Sequence, residues 1–261
     1  MDGLKRAIVY SLYFDDDYSQ HHNYKQILKS ILSIRKFSNI DIIFFYSSKF
    51  DLSKESFFND NNISLVRFNN EDVLVRWTDK IPEYPWNRHL HHRWHNMIES
   101  LKRFNLDQIL YLDTDTIFYK SPEELFNKYN KDIFYLKKEL DDKVVNDLTL
   151  SLNIMPAIND GQIIVSKNAL GPHIDFFMTM LVDKISHFTN VIYNELNNSN
   201  DHILFWTISQ YSAFSVIKDL NIQHEYFDED DISLGLNFDK QDKSKIFIHH
   251  YFSSNMARYY E

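Results

Sequence analysis

Paired carboxylates are the first feature of this sequence that could do chemistry. Three clusters offer them: Asp15-Asp16-Asp17, Asp113-Thr114-Asp115 and Asp228-Glu229-Asp230. Two carboxylates held close together repel unless a cation lies between them, and hard oxygen donors suit Mg²⁺ or Mn²⁺. Position separates the three. Only Asp113 and Asp115 follow a run that is apolar on both faces, Ile109-Leu110-Tyr111-Leu112. Such a run reads as a buried strand, and open α/β sheets bind their ligands outside the carboxyl ends of strands. Strand alternation continued through the triplet would put Asp113 and Asp115 on one side and turn Thr114 away. A rival constellation lies upstream, in His89, His91, His92 and His95. His91 and His95 stand one helical turn apart, a zinc-like spacing. No Glu stands between them as in metalloproteases, and no third ligand is evident.

The composition narrows what these groups can serve. A net charge of -9 argues against nucleic acid as a partner, since phosphate backbones are met by basic surfaces. There is no Cys, which removes disulfides, thiolate metal sites and Cys nucleophiles. The 4 glycines, Gly3, Gly161, Gly171 and Gly235, are too scattered for a Walker loop or a dinucleotide fingerprint. A nucleoside diphosphate bound here would therefore be neutralised by a carboxylate-held metal. The N-terminus lacks the apolar core and cleavage site of a signal peptide. No stretch reaches the ~20 apolar residues of a transmembrane helix. The expectation is a cytoplasmic protein.

The elements around the triplet follow from periodicity. Residues 8–13, 40–46 and 63–68 read as strands, with a helix over 23–37 between the first two. A helix spans 87–104, with Leu90, Trp94, Met97, Ile98 and Leu101 on one face. Ser121-Pro122-Glu123-Glu124 opens another helix. Strands are expected at 133–138, 162–166 and 246–251, and helices over 174–185 and 201–215. Strands alternating with helices predict an α/β fold with a mostly parallel central sheet flanked by helices. No linker interrupts the chain, so residues 1–261 read as a single domain.

The run from Ile109 to Phe118, followed by Ser121-Pro122-Glu123-Glu124-Leu125-Phe126, resembles the metal-binding segment of GT-A fold glycosyltransferases, nearest in style to the glycosyltransferase 8 group. Other segments resemble that group in order: Ile158-Asn159-Asp160-Gly161 before a strand, Asn200-Asp201-His202 near the sugar, and His249-His250-Tyr251 near the end. The resemblance implies a Rossmann-like GT-A fold. It implies that Asp113, Asp115 and a C-terminal His hold Mn²⁺ or Mg²⁺, with the Asp113-Thr114-Asp115 triplet at the donor. His250 is preferred to His249, which would face the other side of the strand; imidazole suits Mn²⁺ better than Mg²⁺. A basic residue of the preceding helix, Arg93 or Arg88, would reach the donor. Tyr13, at the end of the first strand, either stacks on the base or belongs to the core. The group's glycine and Lys-Pro-Trp after His-Tyr are replaced by Phe252-Ser253-Ser254-Asn255-Met256-Ala257-Arg258, leaving Arg258 as the diphosphate contact. Asp201 and Asp160 are candidates for touching the sugar or acting as base.

The expected reaction is transfer of a sugar from a nucleoside-diphosphate sugar, UDP- or GDP-linked, to an acceptor hydroxyl, with a glycan as acceptor. Residues 1–118 would form the nucleotide-binding half and 119–261 the acceptor-binding half. The rivals are a metal-dependent hydrolase using the His-rich helix and a sugar-nucleotide pyrophosphorylase.

Overall fold

Strand β1, Arg6–Tyr13, is apolar on both faces and buried along nearly its whole length, as the inner strand of a covered parallel sheet must be. In the computed structural model it lies between β2 (Asp41–Ser47) and β4 (Gln108–Leu112), parallel to both. The structure describes residues 3–13, 22–47, 51–68, 85–138, 158–195, 202–235 and 242–251, without the side chains of 85–91, 189–195 and 202–207. The main sheet has seven strands in the order β3-β2-β1-β4-β7-β6-β8. Here β3 is Ile63–Arg67, β6 Phe134–Lys138, β7 Ile158–Ser166 and β8 His224–Tyr226. Among the described strands of this sheet, only β7 runs against the others. A second sheet, β5-β10-β9, joins Thr116–Phe118, Ile248–His250 and Ile232–Leu234. The expected α/β class, with a mainly parallel central sheet flanked by helices, is what the chain forms.

Alternation along each strand feeds two apolar layers. Ala7, Val9, Ile109 and Tyr111 face one layer with Trp94, Met97 and Leu101 of α3 (Pro85–Arg103). Residues of α6 (Phe177–Glu195) and α7 (His202–Asp219) complete that side. Ile8, Tyr10, Leu110 and Leu112 face the other layer, with α1 (His22–Arg35) and the second sheet. In α1, Tyr24, Ile27, Ile31 and Ile34 are buried at helical spacing. The short α2 (Ser56–Asp60) precedes β3, α4 is Pro122–Lys128 and α5 is Lys167–Leu170. Ser121 caps α4, its hydroxyl accepting from the Glu123 N–H at 3.1 Å, with Pro122 in the first turn.

Several expectations change. β7 begins at Ile158 rather than Gln162, because Asp160-Gly161-Gln162 is a bulge inside the strand, opposite β6. Leu136 pairs with Ile163 but Lys137 pairs with Asn159, so residues 160–162 are extra on β7. The helix expected over 174–185 runs from Phe177 to Glu195, and the one begun at 201 is described from His202 to Asp219. The final strand is only Ile248–His250, and it belongs to the second sheet. Strands β5, β8 and β9 have no counterpart in the sequence reading. No helix among the described residues is long and apolar enough to cross a membrane.

Candidate metal centre

The strand order 3-2-1-4 reverses direction of growth between β1 and β4, and at such a switch point the carboxyl ends leave a crevice. Leu112 ends β4 there, opposite Tyr10 of β1. Asp113, Thr114 and Asp115 are not a continuation of the strand. They form the turn that carries the chain from β4 into β5 of the second sheet. The two carboxylates therefore converge through the turn, not through strand alternation, and Thr114 is buried within it.

The turn is pinned from several sides. The Asp113 N–H donates to the Gly161 carbonyl at 2.8 Å, and the Tyr251 N–H to the Asp115 carbonyl at 2.9 Å. The Thr116 hydroxyl donates to the Asp113 carbonyl at 2.9 Å. That hydroxyl lies 3.1 Å from the Ser30 hydroxyl, which lies 2.6 Å from the Tyr10 hydroxyl. A buried polar chain thus links β1, α1 and the turn. Gly161 allows the close approach of β7: a Cβ there would stand 2.1 Å from Asp113 Oδ2.

His250 on β10 completes the cluster. Its Nε2 lies 3.0 Å from Asp115 Oδ1 and 3.9 Å from Asp113 Oδ2. One donor atom from each of the three side chains falls within 4.8 Å of the others. Burial would raise the Asp115 carboxyl, but the charge and hydrogen bond of His250 hold it below its ordinary value. For Asp113 burial wins and its carboxyl is raised, against the pull of Arg93 and His250. Two carboxylates with opposite shifts, at a depth where charge is costly, are a donor set that a divalent cation would satisfy.

Arg93 of α3 is buried. Its guanidinium pairs with Asp160 and lies 3.6 Å from Asp113 Oδ1. Burial would lower its pKa, but the charges of Asp160 and Asp113 reverse this and hold it above the ordinary value. Asp160 is itself buried, and also accepts from Trp94 Nε1 at 3.1 Å and the Ser209 hydroxyl at 3.0 Å. Its partners are protein groups on the helical side of the sheet.

The structure thus brings Asp113, Asp115 and His250 together, with Arg93 and Asp160 behind Asp113. Tyr13 ends β1 at the same sheet edge. Asp201 and Arg258 lie outside the described residues, as do Asp15–Asp17 and the side chain of His91. His92 is buried, its ring 5.1 Å from that of Phe68, and belongs to the core. His249 faces away from the carboxylates, its Nδ1 2.9 Å from the Ser233 hydroxyl. Sequence reasoning missed Gln162, Thr116, Ser30 and Tyr10. Their signal is a polar group at a position whose periodicity demands an apolar one.

No family model matches the sequence, and no curated protein matches it. Solved structures do share the fold. Mouse xyloside xylosyltransferase 1 in its apo form superposes with a TM-score of 0.60 at 8% identity, covering 95% of this chain and 98% of that one. The apo structure of WbbM, a bifunctional glycosyltransferase, gives 0.57 at 14% identity, covering 97% of this chain and 46% of that one. The shared feature is a glycosyltransferase fold of the GT-A kind.

Proposed function

We propose that this protein is a metal-dependent glycosyltransferase, moving a sugar from a UDP- or GDP-sugar to a hydroxyl of a glycan. The observation that carries the reading is the convergence of Asp113, Asp115 and His250 at the switch point of a fold shared with glycosyltransferases. When bound, Mn²⁺ or Mg²⁺ supplies Lewis-acid charge against the charge growing on the leaving diphosphate. Asp113, Asp115 and His250 are the residues that would hold it, and their mix of carboxylate and imidazole favours Mn²⁺.

The remaining roles are assigned from position for Arg93, Asp160, Thr114 and Tyr13, and from the resemblance for Asp201 and Arg258. Arg93 opposes the effect of burial on Asp113 and aims its carboxylate, and Asp160 fixes Arg93. Thr114 shapes the turn at the donor phosphates, and Tyr13 at the end of β1 is placed for the base. Asp201 is the carboxylate proposed to meet the sugar or the acceptor proton, and Arg258 the diphosphate contact. Residues 1–118 form the nucleotide-binding half and 119–261 the acceptor half, with His250 reaching back across the division. The order of segments favours the glycosyltransferase 8 group within the fold.

Thermal melts test the reading. A ligand that binds only the native state raises its stability, by ~2.7 kcal/mol at a hundred times its dissociation constant. UDP-sugars or GDP-sugars are expected to raise the melting temperature by several degrees with Mn²⁺ and little in EDTA. Equal shifts in both conditions, or none with any sugar nucleotide, would overturn it.

A further inference from the structure

Gln162 follows the glycine of the β7 bulge and is completely buried. Its neighbours along the strand, Ile163, Ile164 and Val165, are apolar core residues. A buried carboxamide in such a run costs stability unless its polar atoms are engaged. Its Nε2 lies 3.0 Å from His250 Nδ1, on the ring edge opposite the carboxylates. Its Oε1 is buried with no hydrogen-bond partner among the described residues. Among the described residues only His250 therefore fixes which way the amide faces, and a half-turn exchanges a donor for an acceptor of nearly the same shape.

The two orientations have different consequences for His250. If the amide donates to Nδ1, a neutral imidazole carries its proton on Nε2, facing Asp115 at 3.0 Å. No lone pair is then available to a cation. If Oε1 accepts from Nδ1–H, the Nε2 lone pair is turned toward Asp113 and Asp115. Metal-bound imidazoles need the second arrangement, and the group behind the ring commonly sets it.

We propose that Gln162 is the positioning residue of the metal centre, donating to His250 Nδ1 in the empty site and accepting from Nδ1–H when a cation is held. The inference rests on the metal reading given above. It also explains why a neutral amide stands here: a fixed carboxylate would add a third negative charge, and an apolar residue would leave the ring unoriented.

The test uses the full chain and Mn²⁺ alone, without nucleotide, titrated by electron paramagnetic resonance. Gln162→Leu is expected to weaken Mn²⁺ binding about 10- to 100-fold, the usual effect of losing the partner behind a ligand. Gln162→Glu, which still accepts, is expected to match or exceed wild-type affinity. Nitrogen-15 spectra of wild-type protein loaded with Zn²⁺ are expected to show the His250 proton on Nδ1, a result independent of how the variants fold. Wild-type affinity in Gln162→Leu, a Glu variant as weak as the Leu variant, or a proton on Nε2 in the Zn²⁺-loaded protein would each overturn the role of Gln162. If wild-type protein takes up no Mn²⁺, the metal reading fails and this one fails with it.

Discussion

In the acidic segment 228–231, the carboxylates are answered by lysine. Lys128 Nζ lies 2.7 Å from Asp228 and 2.6 Å from Asp231, and the Tyr129 hydroxyl donates to Asp231. Asp113 and Asp115 offer the same residue type at similar spacing, but they are answered by an imidazole and by an arginine shared with Asp160. An ammonium neutralises a carboxylate and has no lone pair to give. An imidazole can turn a lone pair to the same cation as its carboxylate neighbours. The groups that answer the acids distinguish a salt-bridged cluster from a candidate metal site; their spacing does not.

The sharpest way to break this comparison is to remove one acid from each place. Asp113→Ala or Asp115→Ala is expected to cut sugar transfer on the order of 10³-fold or more, since the charge at stake is worth several kcal/mol. Asp230→Ala, which changes an exposed side chain, should leave turnover within about twofold and stability within ~0.5 kcal/mol. Similar losses from both, measured as initial rates at saturating donor and Mn²⁺, would mean that the two clusters are not distinguished as described.

A smaller effect is expected from Gly161→Ala. The new methyl group collides with the Asp113 carboxylate, which must leave the position it holds beside His250. Mn²⁺ affinity should fall about 10- to 100-fold, as when a partner of a metal ligand is lost, while the melting temperature moves by only a few degrees. An unchanged affinity would show that Asp113 can bind from another rotamer.

The smallest effect concerns the histidine that faces away. Burial, helped by His250 and Lys243, lowers the His249 pKa to about 3. Below its ordinary value of 6.5 the unfolded chain takes a proton that the folded chain refuses, so stability is full above that pH and is lost as pH falls. At pH 5 the loss is at most about 2 kcal/mol. Asp113, with its raised carboxyl, acts in the opposite sense. The decisive quantity is therefore the difference between wild type and His249→Gln in melts at pH 5 and 7.5. The variant should lose less on acidification, and equal losses would place the acid sensitivity elsewhere.

The long elements are legible in the sequence because their apolar residues repeat with a clear period, as in β1, α1 and α3. Strands β5, β8 and β9 are three residues each, too short to show a period, and exist because a partner strand lies alongside. The second sheet was beyond reading for the same reason. Asp113 and Asp115 stand out by their place after an apolar strand, whereas His250 is reached only through the resemblance. Ser30 and Thr116 leave no pattern of their own. Each is a polar group in an apolar frame, and its purpose appears only when the other end of the hydrogen bond is known.

The bulge in β7 has a consequence for how this chain tolerates change. Going back from Ile164, side chains alternate between layers as far as Gln162, which reaches His250 on the side of the second sheet. Simple alternation would send Asp160 to that side too, yet it meets Trp94 on the other. Gly161 is thus where the strand slips phase, and the slip lets one short stretch serve both layers. Deleting Gly161 would remove the carbonyl that accepts from the Asp113 N–H, and deleting Asp160 or Gln162 would remove the carboxylate or the amide itself. At this point the length of the chain is constrained as tightly as its chemistry. Substitutions here can be graded in severity, but a deletion cannot.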